Sequence, residues 1–461
     1  MPDSRTHTRV KPPRGEIGSL GRTLWLGLAL LLGLPGTAAA AIIDVTPEDY
    51  RERLRALQPG DTLRLAAGEY RRGLPVHRLE GTREAPIVIE GPAQGEPAVF
   101  LARAGANTVS ILDAAHIHIR NLTLDGRGIL VDAVKAEGHA RYAHHITLEN
   151  LVIVNHGAHQ AKVGISTKCP AWGWVIRGNR IHGAGTGMYL GNSNGHDPFY
   201  GGLIEYNVIT DPIGYGIQIK HQRRRPALDI APGGRFVTVI RHNVLSKANG
   251  ASSGRDARPN LLLGHWPRSG EGSTDEYLVY GNYIADNAHE ALLQAEGNVA
   301  FYANVLRNRY GPGIHIQPHN DVPRHVRILD NTIVTLGDPI VVRTNEATDP
   351  TLQIVRGNAI FSPHAQTGGF QLENRTYRLE DAQSLLGSAW NDEAFNPYPR
   401  DDRLRCAAPD AQTISGLVDA SCDFNGSRRT AQLCGAYGGH GTNPGWLPAL
   451  AGKPPTLCRA R

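Results

Sequence analysis

Along most of the chain apolar and variable residues alternate in short runs, the period of strands that bury one face. Each run stops at Gly, Asn, Asp or Pro, the residues that turn a chain sharply. One unit, apolar-x-x-Asn-x-apolar, returns as HIRNLTL, TLENLVI, IRGNRI, IEYNVI, IRHNVL, VYGNYI, FYANVL, ILDNTI and VRGNAI. Its asparagines are Asn121, Asn150, Asn179, Asn207, Asn243, Asn282, Asn304, Asn331 and Asn358, spaced by 29, 29, 28, 36, 39, 22, 27 and 27 residues. A second strand follows most of them: GMYLG, GIQIK, ALLQA, GIHIQ, PIVVR.

A coil of two or three short strands cannot bury its inner face alone and must stack on the next coil. The pattern therefore predicts an all-β chain wound as a right-handed parallel β-helix. Its asparagines should form a ladder in which each side chain bonds its equivalents above and below. The two long intervals hold the insertions HQRRRPALDIAPGGR and SKANGASSGRDARPN, loops expected on the functional face.

Both ends need covering, because a solenoid terminus exposes a sheet edge. Thr46-Pro47-Glu48-Asp49 reads as a helix start, with Thr46 as N-cap and Tyr50, Leu54 and Leu57 on one face. This gives a short N-terminal capping helix. At the other end Cys406, Cys422, Cys434 and Cys458 predict a disulfide-rich cap over residues 401–461 that closes the last coil. Three pairings are open, of which Cys406–Cys422 with Cys434–Cys458 is the simplest. Cys169 stands alone as a buried thiol.

Residues 1–40 read as a signal peptide. A basic lead (Arg5, Arg9, Lys11, Arg14, Arg22) precedes the apolar run Leu24 to Leu34, then Pro35-Gly36 and the small residues Ala38-Ala39-Ala40. The run is too short to span a bilayer, and no later stretch is long and apolar enough. The mature chain, a β-helix over 41–400 and the cap, is thus expected in the periplasm or outside the cell, as a monomer. Losing those five basic residues with Asp3 and Glu16 lowers the formal net charge from +5 to +2. So small an excess argues against a nucleic-acid partner.

The alternation also says which side chains leave the second strands outward. One column reads Ser166, Tyr189, Gln218, Leu262, Leu293, His315, Val341; the next reads Lys168, Gly191, Lys220, Gly264, Ala295, Gln317, Arg343. Asn192, His221, His265, Trp266, Glu296 and His319 come just beyond. Only six lysines remain after residue 40, and two share the second column. With Arg223, Arg224 and Arg225 in the first insertion, these residues form a cationic, His-rich groove suited to an acidic polysaccharide.

The opening LQPGDTLRLAAGEYRRGLPVHRLEGTREAPIVIEGP and the closing DFNGSRRTAQLCGAYGG resemble bacterial secreted β-helix proteins of the pectin-lyase-like superfamily, in particular chondroitinase B and the related alginate lyases. The resemblance covers nearly all of residues 42–440. It implies a polysaccharide lyase, which abstracts the proton alpha to a uronate carboxylate and expels the 4-linked sugar. That reaction needs a positive charge at the carboxylate, a base and an acid. Lys220 or a neighbouring histidine (His221, His315) is the candidate base, and Tyr189 or a histidine the candidate acid. Lys168, Asn192, Arg223, His265, Trp266, Gln317, His319 and Arg343 are candidate substrate contacts.

Calcium assists in this group, and Glu296 is the one acidic candidate ligand in the groove. GIQIKHQ supplies the family's lysine, but the arginine motif of the following coil and a full ligand set have no match here. HDPFYGG (His196 to Gly202) is similar, in scrambled order, to the D-P-H-D motif of mannuronan C5-epimerases. A hydrolase needs two convergent carboxylates, and the outward columns offer none. The alternatives are a non-catalytic glycan-binding or envelope protein, an epimerase and a hydrolase.

Overall fold

A computed structural model describes residues 40–345, 348–456 and 458. The proposed signal peptide lies outside the described residues, apart from Ala40. Among the described residues no helix is long and apolar enough to cross a membrane.

The chain is a parallel β-helix. Three sheets of 15, 12 and 10 strands run its length, and neighbouring coils pair in parallel at every face. One coil illustrates the rest: Ala143–Glu149 lies in the first sheet, Val152–Val154 in the second and Val163–Thr167 in the third. Inward residues such as Ile146, Leu148, Ile153 and Ile165 are fully buried against their equivalents in adjacent coils.

The ladder sits at the corner between the first and second sheets. The Oδ1 of Asn207 accepts the backbone N–H and the Nδ2 of Asn179 at 3.1 and 2.9 Å. The same pair of bonds repeats through Asn243, Asn282, Asn304, Asn331 and Asn358. It ends on Asn374, which the repeat did not reveal. Asn121 and Asn150 fall outside the ladder. They stand one residue earlier in register, where Leu151 rather than Asn150 donates to Asn179. They occupy instead the left-handed corner (φ 57° and 53°) that Gly178, Tyr206 and His242 fill in later coils. Asparagine tolerates that conformation almost as glycine does, so one residue type serves two neighbouring positions.

The N-terminal capping helix forms, but Asp49 rather than Thr46 is its N-cap, and the Asp49 carboxylate accepts the Thr46 N–H at 2.7 Å. Ile42–Val45 begins the first sheet and a helix covers Tyr50–Leu54, with the Thr46 carbonyl accepting the Tyr50 N–H. Tyr50 packs edge-on to Tyr70 and Phe100 beneath the first coils.

The C-terminal region departs from expectation twice. Strand pairing ends at Phe370–Leu372 and Arg375–Tyr377, short of residue 400. Beyond a short cap around Ala382–Leu385, the tail passes the last coil, where the Arg405 and Arg403 carbonyls accept from Arg375 and Tyr377, and then turns back along the outside of the ladder corner. Gly435 bonds Gly357, Tyr302 reaches Val418, Tyr280 reaches Asp419, and Thr456 meets Tyr206. Lys453 is its deepest anchor, donating to Gly281 O (2.8 Å), Phe424 O (2.7 Å) and His242 Nδ1 (3.2 Å). The bridge is Cys422–Cys458, not either of the expected pairs. The return path brings Cys458 back to Cys422 and leaves the Cys406 and Cys434 thiols in contact with each other. Cys169 is a buried thiol, as expected.

Candidate functional site

The third sheet presents two outward columns. Register fixes the first as Lys135, Ser166, Tyr189, Gln218, Leu262, Gln294, His315 and Val341. Gln294, not Leu293, is therefore the outward residue of its coil. Leu292 and Leu293 are both buried, and an apolar pair carries no phase information. The shift also moves the second column, which runs Lys168, Gly191, Lys220, Gly264, Glu296, Gln317, Arg343.

Its glycines matter. A Cβ at Gly264 would stand 2.2 Å from the His221 nitrogen, and one at Gly191 would touch the Lys220 Cβ at 3.5 Å. Lys220 thus projects from a shelf with no side chain on either flanking coil.

Around it the structure brings together Lys168, Tyr189 and His221. The Lys168 Nζ lies 3.2 Å from the centre of the Tyr189 ring, and the Lys220 Nζ lies 5.9 Å from it. Neither ammonium forms an ion pair among the described residues. Burial pulls Lys168 down to about 7, while nearby Asp132 pulls it back up. Burial also lowers Lys220, opposed by Glu296. Tyr189 is pushed up to about 12 by burial and by the Tyr215 phenol. His221 is held at about 4 by burial, with Lys220 and His265 adding repulsion, and its ring stacks 5.5 Å from His265.

A cleft of about 360 Å³ adjoins this cluster, lined by Tyr215, Arg258, Glu290, Gln294, Glu296, Gln317 and His319 among others. The second insertion walls it. Arg258 comes from that loop, held from below by fully buried Lys247, which donates to the Arg258 carbonyl at 2.5 Å. Sequence reasoning missed Tyr215, Arg258, Glu290 and Gln294. The corrected register would have exposed Gln294, whereas Arg258 and Glu290 sit in irregular turns that carry no periodic signal.

Other candidates are separated or occupied. His315 sits three coils beyond Lys220, about 14 Å at the spacing of paired strands, so the two cannot act on one bond. Burial lowers its pKa. Trp266 is fully buried and stacks on Tyr277 at 4.2 Å, inside the solenoid rather than in the groove. Asn192 is spent on Asp197 and Ser193 within its own turn. Arg223 leans on His196, and His265 bonds the Trp266 carbonyl. Arg225 is a structural residue, paired with buried Asp275 and lying over Tyr200 at 4.0 Å. Arg343 is exposed, 3.3 Å from Gln317.

Glu296 does not suit a metal. Its oxygens accept the N–H groups of Asn320 and Asp321 and the Asn320 amide at 3.0, 3.1 and 3.1 Å. A calcium ion takes about six to eight oxygen ligands. With Glu296 so engaged, Glu290 of the same cleft accepting the Ala291 N–H, and Lys220 in electrostatic reach, this groove does not fit one.

A larger depression of about 980 Å³ lies on the first sheet beneath the returning tail. Its arginines are consumed internally: Arg235 and Arg327 share Glu276, and Arg327 also bonds Thr413 and Ser415. Lys168 and Lys220, without an ion pair among the described residues, lie on the third sheet instead.

No family model matches the chain, and no curated protein matches it in sequence. Solved β-helix structures do resemble it. An alginate lyase from a Paenibacillus species is 16% identical over 73% of this chain and 99% of its own, with a TM-score of 0.47. The pectate lyase Pel9A is 11% identical over 87% and 97%, at 0.42. A lacto-N-biosidase from Eubacterium ramulus is 13% identical over 73% and 68%, at 0.43.

Proposed function

We propose that this chain is an exported, monomeric polysaccharide lyase that cleaves a uronate-containing polymer by β-elimination at Lys168, Tyr189 and Lys220. The observation that carries the reading is the pair of lysines around one tyrosine on an open shelf, with no carboxylate paired to either among the described residues.

The environments divide the roles. Lys220, whose lowering by burial is opposed by Glu296, is assigned to the uronate carboxylate. Lys168, held near 7, is the better base, so the proton-abstracting role passes to it from Lys220. It removes the proton alpha to the carboxylate. The carbon–carbon double bond forms as the 4-linked oxygen departs, and that oxygen takes the Tyr189 proton. Tyr189 stays protonated at neutral pH because burial raises its pKa. The ammonium created on Lys168 then lies over the tyrosine ring, where it stabilises the new phenolate. His221, neutral, positions the substrate rather than supplying charge.

Purified protein should be incubated with alginate, pectate and chondroitin-type chains while ultraviolet absorbance and reducing ends are followed. Absorbance rising in step with reducing ends is expected. Polymer binding with neither signal would establish a glycan-binding protein instead.

One observation favours a second reading. Glu290 and Glu296 line the same cleft, the paired carboxylates that the sequence columns lacked and that a hydrolase requires. New reducing ends without absorbance would select it.

A further inference from the structure

Away from the groove, three histidines meet on the first sheet. His116 lies in Ala114–Arg120, and His144 and His145 lie in the next strand, Ala143–Glu149. We propose that His116, His144 and His145 form a binding site for one divalent transition-metal cation of the zinc class, with a fourth coordination position open to solvent.

The geometry rests on a broken alternation. Consecutive strand residues normally point to opposite faces, so a His-His pair should not converge. His145 adopts φ 51°, in the left-handed region, and His116 in the coil before adopts φ 54°. These kinks bring His144 Nδ1 within 2.8 Å of His145 Nδ1 and stack the His116 and His145 rings 4.5 Å apart. One ligand nitrogen from each residue lies within 4.8 Å of the others. Tetrahedral coordination at about 2.1 Å needs nitrogens roughly 3.4 Å apart. Small side-chain rotations close that difference.

The following coils show what the kink requires when no ligand is placed there. At the same position they carry Gly173 (φ 65°) and Gly201 (φ 61°). A histidine in place of glycine costs conformational energy that the surroundings must offset, a pattern that clusters at functional sites. Gly173 also makes room for the cluster, since a Cβ there would come within 2.8 Å of the His145 ring. Trp172 backs it, its ring stacked on His144 at 4.5 Å. Burial, followed by repulsion from the neighbouring rings, lowers His144 to about 4 and lowers His145. Burial lowers His116 as well, with Glu84 opposing and Arg83 reinforcing. The neutral imidazole is the form that binds metal, and the cluster gathers one ring nitrogen from each of the three residues. Three imidazoles with no thiolate suit zinc, copper or nickel rather than calcium.

Untagged protein, stripped with a chelator and desalted, should be titrated with zinc chloride by calorimetry and with cobalt(II) by visible spectroscopy. About one equivalent of zinc and the intense bands of four-coordinate cobalt are expected. Both should vanish in His116→Gly/His145→Gly, whose glycines suit the backbone, and in His144→Phe, which keeps the stack on Trp172. His221→Ala/His265→Ala should bind as the parent does. No stoichiometric uptake by the parent, or uptake undiminished in folded His144→Phe, overturns the proposal.

Discussion

At the scale of single residues, the proposed chemistry rests on Tyr189 and its two lysines. If Lys168 is the base, kcat/KM rises with pH through its folded pKa of about 7, since only the neutral amine accepts a proton. Lys168→Ala should lose about 100- to 10,000-fold in turnover together with that rising limb. Lys220→Ala should fall comparably but keep the limb, which separates base from charge neutraliser. A pH profile unchanged in Lys168→Ala would return the base to Lys220 or His221. The same lysine makes a stability prediction. Its pKa is lowered on folding, so the unfolded chain binds more protons between about 7 and the ordinary lysine value of 10.5, and stability rises with pH across that window. Lys168→Met removes the penalty. It should stabilise the protein most below pH 7 and cease to matter above the ordinary value, as read by urea unfolding at several pH values.

Elements show which parts of the sequence were informative. The strand ladder was legible because each coil repeats the same alternation and the same asparagine. Phase was lost where two residues fit one pattern equally, as at Leu292-Leu293, or where one residue type fits two positions, as with Asn121 and Asn150. The site was legible only on strands or directly after them: Tyr189 within Thr186–Leu190, Lys168 after Val163–Thr167 and Lys220 after Ile217–Ile219 follow the alternation, whereas Arg258 and Glu290 do not. The His116, His144 and His145 cluster was hidden for a related reason, because alternation assigns His144 and His145 to opposite faces. Yet His116 and His145 share one offset before Asn121 and Asn150, a repeat signal that could have found them. The tail carried no repeat, so its return path could not be read. That path makes Lys453 its central pin. Lys453→Met leaves the Gly281 and Phe424 carbonyls unpaired and should cost about 1–3 kcal/mol in urea unfolding. Cys406 and Cys434, in contact in the same element, should close a second bridge when the protein is oxidised, as expected of an exported chain. Thiol titration of the unreduced, denatured protein should then find only Cys169. Three free thiols would show that Cys406 and Cys434 remain apart.

Across the whole molecule, the solenoid converts sequence distance into length along the groove, and so along the polymer proposed to bind there. The second column places Lys220 four coils from Arg343, about 19 Å at the spacing of paired strands. Between them stand Gly264, Glu296 and Gln317, which offer surface and hydrogen bonds but no positive charge. A short oligosaccharide seated over Tyr189 and Lys220 cannot also reach Arg343, whereas a long polyuronate can. Arg343 is exposed, and among the described residues its hydrogen bond is to Gln317, so its loss should leave the fold and the reacting groups untouched. Arg343→Ala should therefore raise KM for long polymer with kcat unchanged, and alter neither constant for the shortest cleaved oligosaccharide. Because the contact is a solvent-exposed charge, the polymer effect should shrink as salt approaches the molar range, where screening falls to about 3 Å. Equal effects on short and long substrates would mean that the chain does not lie along the column, and would place its path across the coils instead, through the cleft at Arg258.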